Sequence, residues 1–201
     1  GVNSALKDAG QTVAAEAAYK VGDIDFSSQV AKLKAANVDL IIAGTLVRES
    51  VGVMAEVKKL NWNQVKVLTT IPGRSTIVAK LGKEATEGMY GIGGWKLHDP
   101  DTSDPAAKKF MADFKAKFNM DADENAANAY SYTSWFIAGL QATGRNLTSQ
   151  SFAKAMAGVP HQDFTTYTRQ TFTGNHVGPE LASIDQIKGG KWVQIAAPSG
   201  K

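Results

Sequence analysis

Few residues in this sequence are suited to catalysis or metal binding, and they stand apart from one another. The chain has three histidines and no cysteine, which excludes disulfides, thiolate zinc sites and cysteine nucleophiles. The histidines lie in segments predicted as loops and lack the spacing of a metal motif. We therefore expect exposed imidazoles, with isolated metal ligands as the alternative, at His98, His161 and His176.

An acidic cluster at the start of a predicted helix resembles a calcium-binding loop only superficially. Asp121, Asp123 and Asn125 have the alternate spacing of calcium ligands. Such a loop also needs a glycine where Ala126 stands and a bidentate glutamate where Tyr132 stands. The cluster is therefore interpreted as a helix N-terminus, and no metal site is predicted.

The motifs of nucleotide-dependent and hydrolytic enzymes are missing from the sequence. It contains no phosphate-binding loop and no G-x-S-x-G elbow. Its glycines at 88, 91, 93 and 94 neither keep the dinucleotide spacing nor open a helix. We expect a protein that is not an enzyme and uses no cofactor. The alternative is a cytosolic enzyme whose catalytic residues lie in a missing N-terminal part.

Two loops that follow predicted strands form the candidate binding site. The first, 44–48, follows the apolar run 40–43, and the second, 69–74, follows the run 65–68. Ligands of open α/β sheets collect beyond the carboxyl ends of the strands. Simple turn formation by the glycines is the alternative. We predict that six residues of these loops bind ligand: Thr45, Leu46, Thr70, Ile71, Pro72 and Gly73.

The elements that position these loops alternate between strand and helix. Strands are predicted at 11–19, 40–44 and 65–70, the second of them buried on both faces, with helices before, between and after them up to Gly82. Such βα units in series predict a parallel sheet covered by helices.

The second half of the chain is predicted to be mostly helical, with strands at its end. One helix has a stripe of Ala106, Phe110, Phe114 and Phe118, a second covers 124–143, and a third covers 149–157 with Ser149 or Ser151 as its cap. Strands follow at 164–172, 183–187 and 192–195. The last two are joined by a Lys-Gly-Gly-Lys turn that is typical of hairpins.

The distribution of lysines argues against nucleic-acid binding, and the length of the apolar runs argues against membrane insertion. The net charge is +3, but the lysines are scattered and form no basic block. No apolar run approaches the ~20 residues needed to span a bilayer.

The chain starts at Gly1 as if inside a helix, so we expect that preceding sequence, with any targeting signal, is missing.

Three stretches give the sequence a family resemblance. They are the Asp-Phe-Ser at 25–27 with Leu33 and the run 37–44, the Glu-Gly-Met-Tyr at 87–90, and the segment from Asp104 through Phe118 to 126–130 and 138–140. In this order they resemble the type I periplasmic solute-binding proteins of branched-chain amino acid ABC transporters, similar to leucine/isoleucine/valine-binding proteins.

The resemblance implies two doubly wound α/β lobes joined by crossover strands, with the first lobe incomplete here. Residues 1–90 correspond to the second lobe, 91–162 to the returning part of the first, and 163–201 to a crossover and hairpin associated with the second. It also implies a monomer that captures a small molecule by hinge closure and delivers it to a membrane permease. Its location would be periplasmic, or extracytoplasmic with a lipid anchor in a Gram-positive source. A ligand-sensing receptor domain on the same scaffold is the alternative.

The binding loops depart from the pattern of the amino-acid binders in this family. Those proteins place a carboxylate in the second loop and an aromatic residue in the first, where this chain has Thr70 and Leu46. A buried ammonium group without an anionic partner is costly, so we expect a neutral ligand or a carboxylate, such as an aromatic acid. Arg48 or Arg74 is a candidate counter-charge, or else a solvated surface residue. Weaker candidates for ring contacts with the ligand are Tyr90, Trp95 and Tyr130.

Overall fold

The computed structural model describes residues 1–172 and 181–199, and in these ranges it has seven α-helices and five β-strands. In chain order they are α1 Val2–Asp8, α2 Ser27–Ala35, β1 Leu40–Ala43, α3 Val47–Lys59, β2 Lys66–Thr69, α4 Thr76–Gly82, a 3-10 helix Lys83–Thr86, β3 Tyr90–Gly93, α5 Pro105–Phe118, α6 Glu124–Thr143, α7 Ser149–Met156, β4 Ala182–Lys188 and β5 Lys191–Ser199.

The chain divides into two compact units. Unit 1 comprises Gly1–Ile92 and Asp185–Val193, and unit 2 comprises the described residues of 93–184 and those from 194 onward. The chain passes between the units three times, within β3, β4 and β5. Assignment of these units to the lobes of a larger protein, with the boundaries expected from the sequence, stays a prediction.

Unit 1 is built on a sheet with the strand order β1-β2-β3-β4-β5. β1 pairs parallel with β2 from Leu40 opposite Lys66 to Ala43 opposite Thr69, and β2 pairs parallel with β3. The sheet packs on an apolar core to which α3 contributes Val53, Met54 and Val57. The predicted α/β class with a parallel sheet is confirmed for this unit.

Two strand predictions in unit 1 are wrong. Segment 11–19 is not a strand in the structure, and none of the N–H groups of 12–19 donates to a backbone carbonyl of the described residues. β1 is buried on one face only: Ile41 and Ala43 join the core, whereas Leu40 is 45% exposed and Ile42 is 38% exposed. Side chains alternate along a strand, so Leu40 and Ile42 lie on the face opposite to Ile41 and Ala43, and this face is not fully covered.

The helices of unit 2 begin at capping residues. Asp104 caps α5, since its Oδ1 accepts hydrogen bonds from the N–H groups of Ala106 and Ala107 at 2.9 and 3.1 Å. α6 has the bounds predicted, 124–143. The cap of α7 was predicted at Ser149 or Ser151, but Thr148 occupies it and Ser151 completes a capping box.

Two further predictions in unit 2 are corrected by local geometry. Segment 164–172 is not a strand, because Asp163 turns the chain: its Oδ1 accepts from the Thr165 N–H at 2.8 Å and its carbonyl accepts from the Thr166 N–H. Such side-chain turns compete with sheet ladders. In the predicted stripe of α5, Ala106 and Phe118 are exposed, and Ala107 is the fully buried residue.

The two-residue hairpin between β4 and β5 is confirmed, with positive φ at Gly189 and Gly190. Across residues 1–172 and 181–199, no helix combines the length and the apolarity that crossing a membrane requires.

Candidate functional site

The two predicted loops lie side by side at one edge of unit 1. Because β1 and β2 are adjacent and parallel with Ala43 opposite Thr69, the loops that follow them leave the sheet at the same edge. The N–H of Thr70 donates to the carbonyl of Ala43 at 3.1 Å, which ties the start of the second loop to the end of the first strand. The register therefore brings together the two groups of residues predicted from the sequence.

Three buried hydroxyl groups connect the two loops to each other and to α3. Ser50, in the first turns of α3, has its Oγ 2.7 Å from the Oγ1 of Thr45 and 3.4 Å from the Oγ1 of Thr69. The Thr69 hydroxyl also lies 3.4 Å from the carbonyl of Ala43. All three side chains are buried, so this hydroxyl cluster (Thr45, Ser50, Thr69) holds both loops to α3.

Gly73 is where the second loop approaches the hydroxyl cluster most closely. A Cβ at this position would lie 1.9 Å from Thr69 Oγ1 and 2.3 Å from Ser50 Oγ, far inside any contact distance. Its N–H donates to the carbonyl of Thr70 at 3.0 Å and closes a turn. Gly73 is thus required by close packing.

The six predicted residues differ in what they offer a ligand. Leu46 and Ile71 are the exposed apolar pair, at 42% and 45%. Pro72 is exposed and Thr70 half-buried, whereas Thr45 and Gly73 are buried beneath them. The outer residues can contact an apolar ligand body, and the buried pair supports them.

The N-terminus of α3 lies in the first loop. Leu46 is its extended N-cap residue, and no side chain of the described residues caps the helix there. Helix N-termini favour negative charge, because their first N–H groups lack intrahelical partners. The uncapped N–H groups therefore add a partial positive charge to the loop beside Arg48, with Glu49 as the acidic residue of the first helical turn.

Of the two arginines that were candidate counter-charges for a ligand, one is buried and one is exposed. Arg74 was a candidate counter-charge or surface residue, but it is buried and its Nε donates to the buried carboxylate of Asp185. Arg48 is exposed. Glu49 is buried, and its Oε1 accepts from the N–H of Gly22 at 3.0 Å, which fastens the 20–25 loop to α3.

Sequence reasoning missed Ser50, Thr69 and Glu49. Ser50 and Glu49 stand among helical residues of ordinary polarity, and nothing in the sequence indicates their burial. Thr69 alternates with Val67 on the inward face of β2, so the period of two could have placed it inside.

The histidine prediction is corrected in unit 2. His161 was expected to be exposed, but it is buried: its ring stacks on Trp135 at 4.9 Å, and its Nε2 lies 2.8 Å from the Ser131 hydroxyl. Asp163 lies 3.5 Å from the same Nε2, whereas a catalytic triad places serine and aspartate on opposite ring nitrogens. His98 is half-buried, with its Nε2 2.6 Å from the carbonyl of Phe164, and His176 lies outside the described residues.

The weaker ring-contact candidates belong to different units. Tyr90 is half-buried in β3 of unit 1, whereas Trp95 and Tyr130 belong to unit 2. Tyr130 is about half exposed and its ring lies 5.0 Å from that of Phe110. The described part of the chain contains no group of three or more His, Asp or Glu side chains that could hold a metal ion.

The sequence also matches a known family model and solved structures. The model described as "Periplasmic binding protein" matches residues 1–191. A leucine-binding protein from Thermotoga maritima has 19% identity and a TM-score of 0.74, with 94% of this chain and 53% of that chain covered. A branched-chain amino acid ABC transporter structure from Thermus thermophilus with bound valine has 14% identity and a TM-score of 0.80, with coverages of 98% and 55%.

A solute-binding protein from R. palustris in complex with benzoate is similar too, at 15% identity and a TM-score of 0.77, with 99% of this chain and 54% of that chain covered. At these identities the likeness shows the fold. The chain spans about half the length of each of these proteins.

Proposed function

Because the chain belongs to the periplasmic binding protein family, we propose that it forms part of the solute-binding component of an ABC importer. The type I fold predicted from the sequence is confirmed by the structural neighbours. Since the chain spans about half of those proteins, capture of a small organic molecule is proposed for the complete protein. The loops after β1 and β2 supply one wall of its pocket.

The observation that supports a ligand other than an α-amino acid is the chemistry of these loops. No carboxylate occurs in 69–73, and the nearby Glu49 is buried and accepts a hydrogen bond from Gly22. An ammonium group held here would lack an anionic partner, which is costly away from water. The exposed Leu46 and Ile71 favour an apolar ligand body.

A carboxylate ligand, in particular an aromatic acid, matches the remaining features. The uncapped N-terminus of α3 favours an anion, and the benzoate complex of the R. palustris protein is a precedent on this fold. The buried Arg74 is engaged by Asp185, so the helix N-terminus and exposed Arg48 are the positive groups that we assign to ligand binding.

The proposed mechanism is ligand-driven closure followed by docking on a membrane permease. A ligand that contacts both lobes binds the closed form more tightly and shifts the open–closed equilibrium toward it. The protein acts in the periplasm or on an extracytoplasmic surface, as a monomer. It performs no catalysis, uses no cofactor, and neither binds nucleic acid nor inserts into the membrane.

Isothermal titration calorimetry of the protein expressed from its full reading frame tests the ligand class. We expect saturable binding of benzoate or a substituted aromatic acid, and no heat with leucine or valine. Submicromolar leucine binding without a response to aromatic acids would refute the proposal.

A charge introduced in the second loop provides the matched test. Thr70→Glu should weaken binding of an aromatic acid at least ten-fold by repulsion of its carboxylate. Gln64→Glu adds the same charge on the exposed surface before the opposite end of β2 and should leave the affinity within two-fold of the parent.

A further inference from the structure

Lysines of unit 1 gather at the end of its sheet that is opposite to the ligand loops. α2 leads into β1, and α3 and α4 run back from the end of one parallel strand to the start of the next, so the last turns of all three helices lie where strands begin. These last turns contain Lys32 and Lys34 of α2, Lys58 and Lys59 of α3, and Lys80 of α4. The ends of α2 and α3 are in contact, because the Nζ of Lys34 donates to the carbonyl of Leu60 at 3.0 Å.

Four further lysines lie at the same end of the sheet. Lys66 begins β2, and Lys83 directly follows α4. Lys188 and Lys191 flank the β4–β5 turn, which lies beside the start of β3 because the Glu87 carboxylate accepts from both N–H groups of the turn, at 2.9 and 3.2 Å. All nine of these lysines are exposed, and we call the surface that they form the basic end.

The basic end has an excess of positive charge that the sequence alone does not show. Its segments contain four acidic residues, Asp39, Glu56, Glu84 and Glu87, against nine lysines, which leaves an excess of five positive charges. The whole chain has a net charge of only +3, so the rest of the chain is negative on balance. The fold therefore gathers at one end of unit 1 lysines that are scattered along the sequence.

The residue types of the basic end distinguish between its possible partners. Both arginines of unit 1, Arg48 and Arg74, follow strand ends at the opposite side of the sheet, and the one aromatic side chain of these segments, Trp62, is buried. Protein interfaces are enriched in aromatic residues and arginine and poor in lysine, and single-stranded nucleic acid is bound by stacking on exposed aromatic rings. Lysines are flexible, strongly hydrated point charges, and clusters of them are typical of surfaces that bind anionic lipid headgroups.

We propose that the basic end of unit 1 binds the surface of a bilayer that contains anionic lipids, without insertion. The five strands span about 20 Å at a spacing of ~4.8 Å, so the lysines are spread over an area that contacts several headgroups at once. The ligand loops lie at the opposite end of unit 1 and face away from the bilayer in this orientation. The proposal rests on the charge distribution of unit 1 and does not depend on the identity of the ligand.

Vesicle binding of the 201-residue chain tests the proposal. The probes are vesicles of phosphatidylcholine with about 30% phosphatidylglycerol and vesicles of phosphatidylcholine alone, used in co-sedimentation. We expect a partition coefficient at least ten-fold higher for the anionic vesicles, and at least a ten-fold decrease between about 50 and about 500 mM NaCl, because salt screens exposed charges. Equal binding to both vesicles, binding that salt does not change, or no binding at low salt would overturn the proposal.

A variant of the basic end shows whether its lysines are responsible. Each lysine close to an anionic bilayer contributes roughly a five-fold increase in binding, so removing four should weaken binding to the anionic vesicles at least ten-fold. The four substitutions are Lys32→Gln, Lys58→Gln, Lys80→Gln and Lys188→Gln. Circular dichroism checks that the variant folds, which we expect since all four side chains are exposed.

The matched control removes the same number of charges from exposed positions of unit 2. It carries Lys108→Gln, Lys115→Gln, Lys117→Gln and Lys154→Gln. This variant should bind within three-fold of the parent. An equal loss in both variants would show that only the total charge matters and would overturn the assignment to the basic end.

A dye attached at one position at a time tests the orientation. Because the chain has no cysteine, Asn63→Cys beside the basic end and Pro72→Cys in the second ligand loop can each be labelled alone with an environment-sensitive fluorophore. Anionic vesicles should shift the emission of the dye at position 63 and leave that at position 72 unchanged; equal shifts, or a shift at 72 alone, would refute the orientation. Binding to poly-L-glutamate but not to the vesicles would overturn the lipid assignment in favour of an acidic protein.

Discussion

Replacing Gly73 by alanine isolates the close packing between the second loop and the hydroxyl cluster. The added Cβ would lie 1.9 Å from Thr69 Oγ1 and 2.3 Å from Ser50 Oγ. Gly73 does not have a positive φ, so backbone strain contributes nothing to the effect. Gly44, at the end of the neighbouring strand, is the matched control because its added Cβ would meet nothing within 4 Å.

The expected magnitude follows from overpacking. Inserting a methyl group into a filled, buried space costs about 1–3 kcal/mol, and the short distances here place Gly73→Ala toward the upper end. Gly44→Ala restricts the unfolded chain without a clash and should raise the free energy of unfolding by about 0.4–1 kcal/mol. Urea denaturation of the parent and both variants, followed by circular dichroism, measures these changes.

A background without the two hydroxyls tests the cause. In a chain carrying Ser50→Ala and Thr69→Ala, the further change Gly73→Ala should cost at least ~1 kcal/mol less than in the parent, since the closest atoms are gone. An equal cost in both backgrounds, or a Gly73→Ala chain within ~0.5 kcal/mol of the parent, would refute the packing argument.

Three other substitutions each test one contact seen in the structure. Asp185→Leu removes the buried carboxylate that accepts from the Arg74 Nε and should cost about 3–5 kcal/mol in urea denaturation, with most of the loss recovered when Arg74→Met is added. The N–H groups of Ala107 and Ala106 hold the pKa of Asp104 below its usual 3.8; the stability from this cap is therefore complete above that value and lost as the pH falls below it. The unfolding temperature of Asp104→Asn should consequently change less than that of the parent between pH 5 and pH 2.5, and an equal change would contradict this. Thr148→Ala removes the α7 cap and should cost about 1 kcal/mol, whereas Thr133→Ala on the exposed face of α6 should not lower the stability, because alanine is the better helix former.

The parts of the fold that the sequence predicted are those with local signals. α6 follows from capping by Asp123 and a stop at Gly144, and β1 and β2 follow from short apolar runs bounded by turn residues. In a parallel sheet, the loops that follow two adjacent strands leave at the same edge, so the order of these elements predicts that both loops lie together. The six site residues remain a prediction, since no ligand contact tests them.

The parts that could not be predicted depend on residues far apart in the chain. The buried Arg74 contacts Asp185, 111 positions away, and the buried His161 contacts Ser131 and Trp135 of α6. Segment 11–19 is predicted as a strand in spite of a weak strand propensity, but a strand exists only where a partner pairs with it. In the hydroxyl cluster, Ser50 and Thr69 come together only through the packing of α3 on β2.

The discontinuity of unit 1 affects how the protein is made. Residues up to Ile92 leave the ribosome first, while the segment that supplies Asp185 and the fully buried Ile187 follows only after 93–184. At ~5–20 residues per second, this interval is roughly 5–18 s of synthesis. Throughout that time the Arg74 guanidinium has no Asp185 and the core lacks Ile187. The core of the first unit is therefore incomplete until the segment that contains Asp185 and Ile187 has been made.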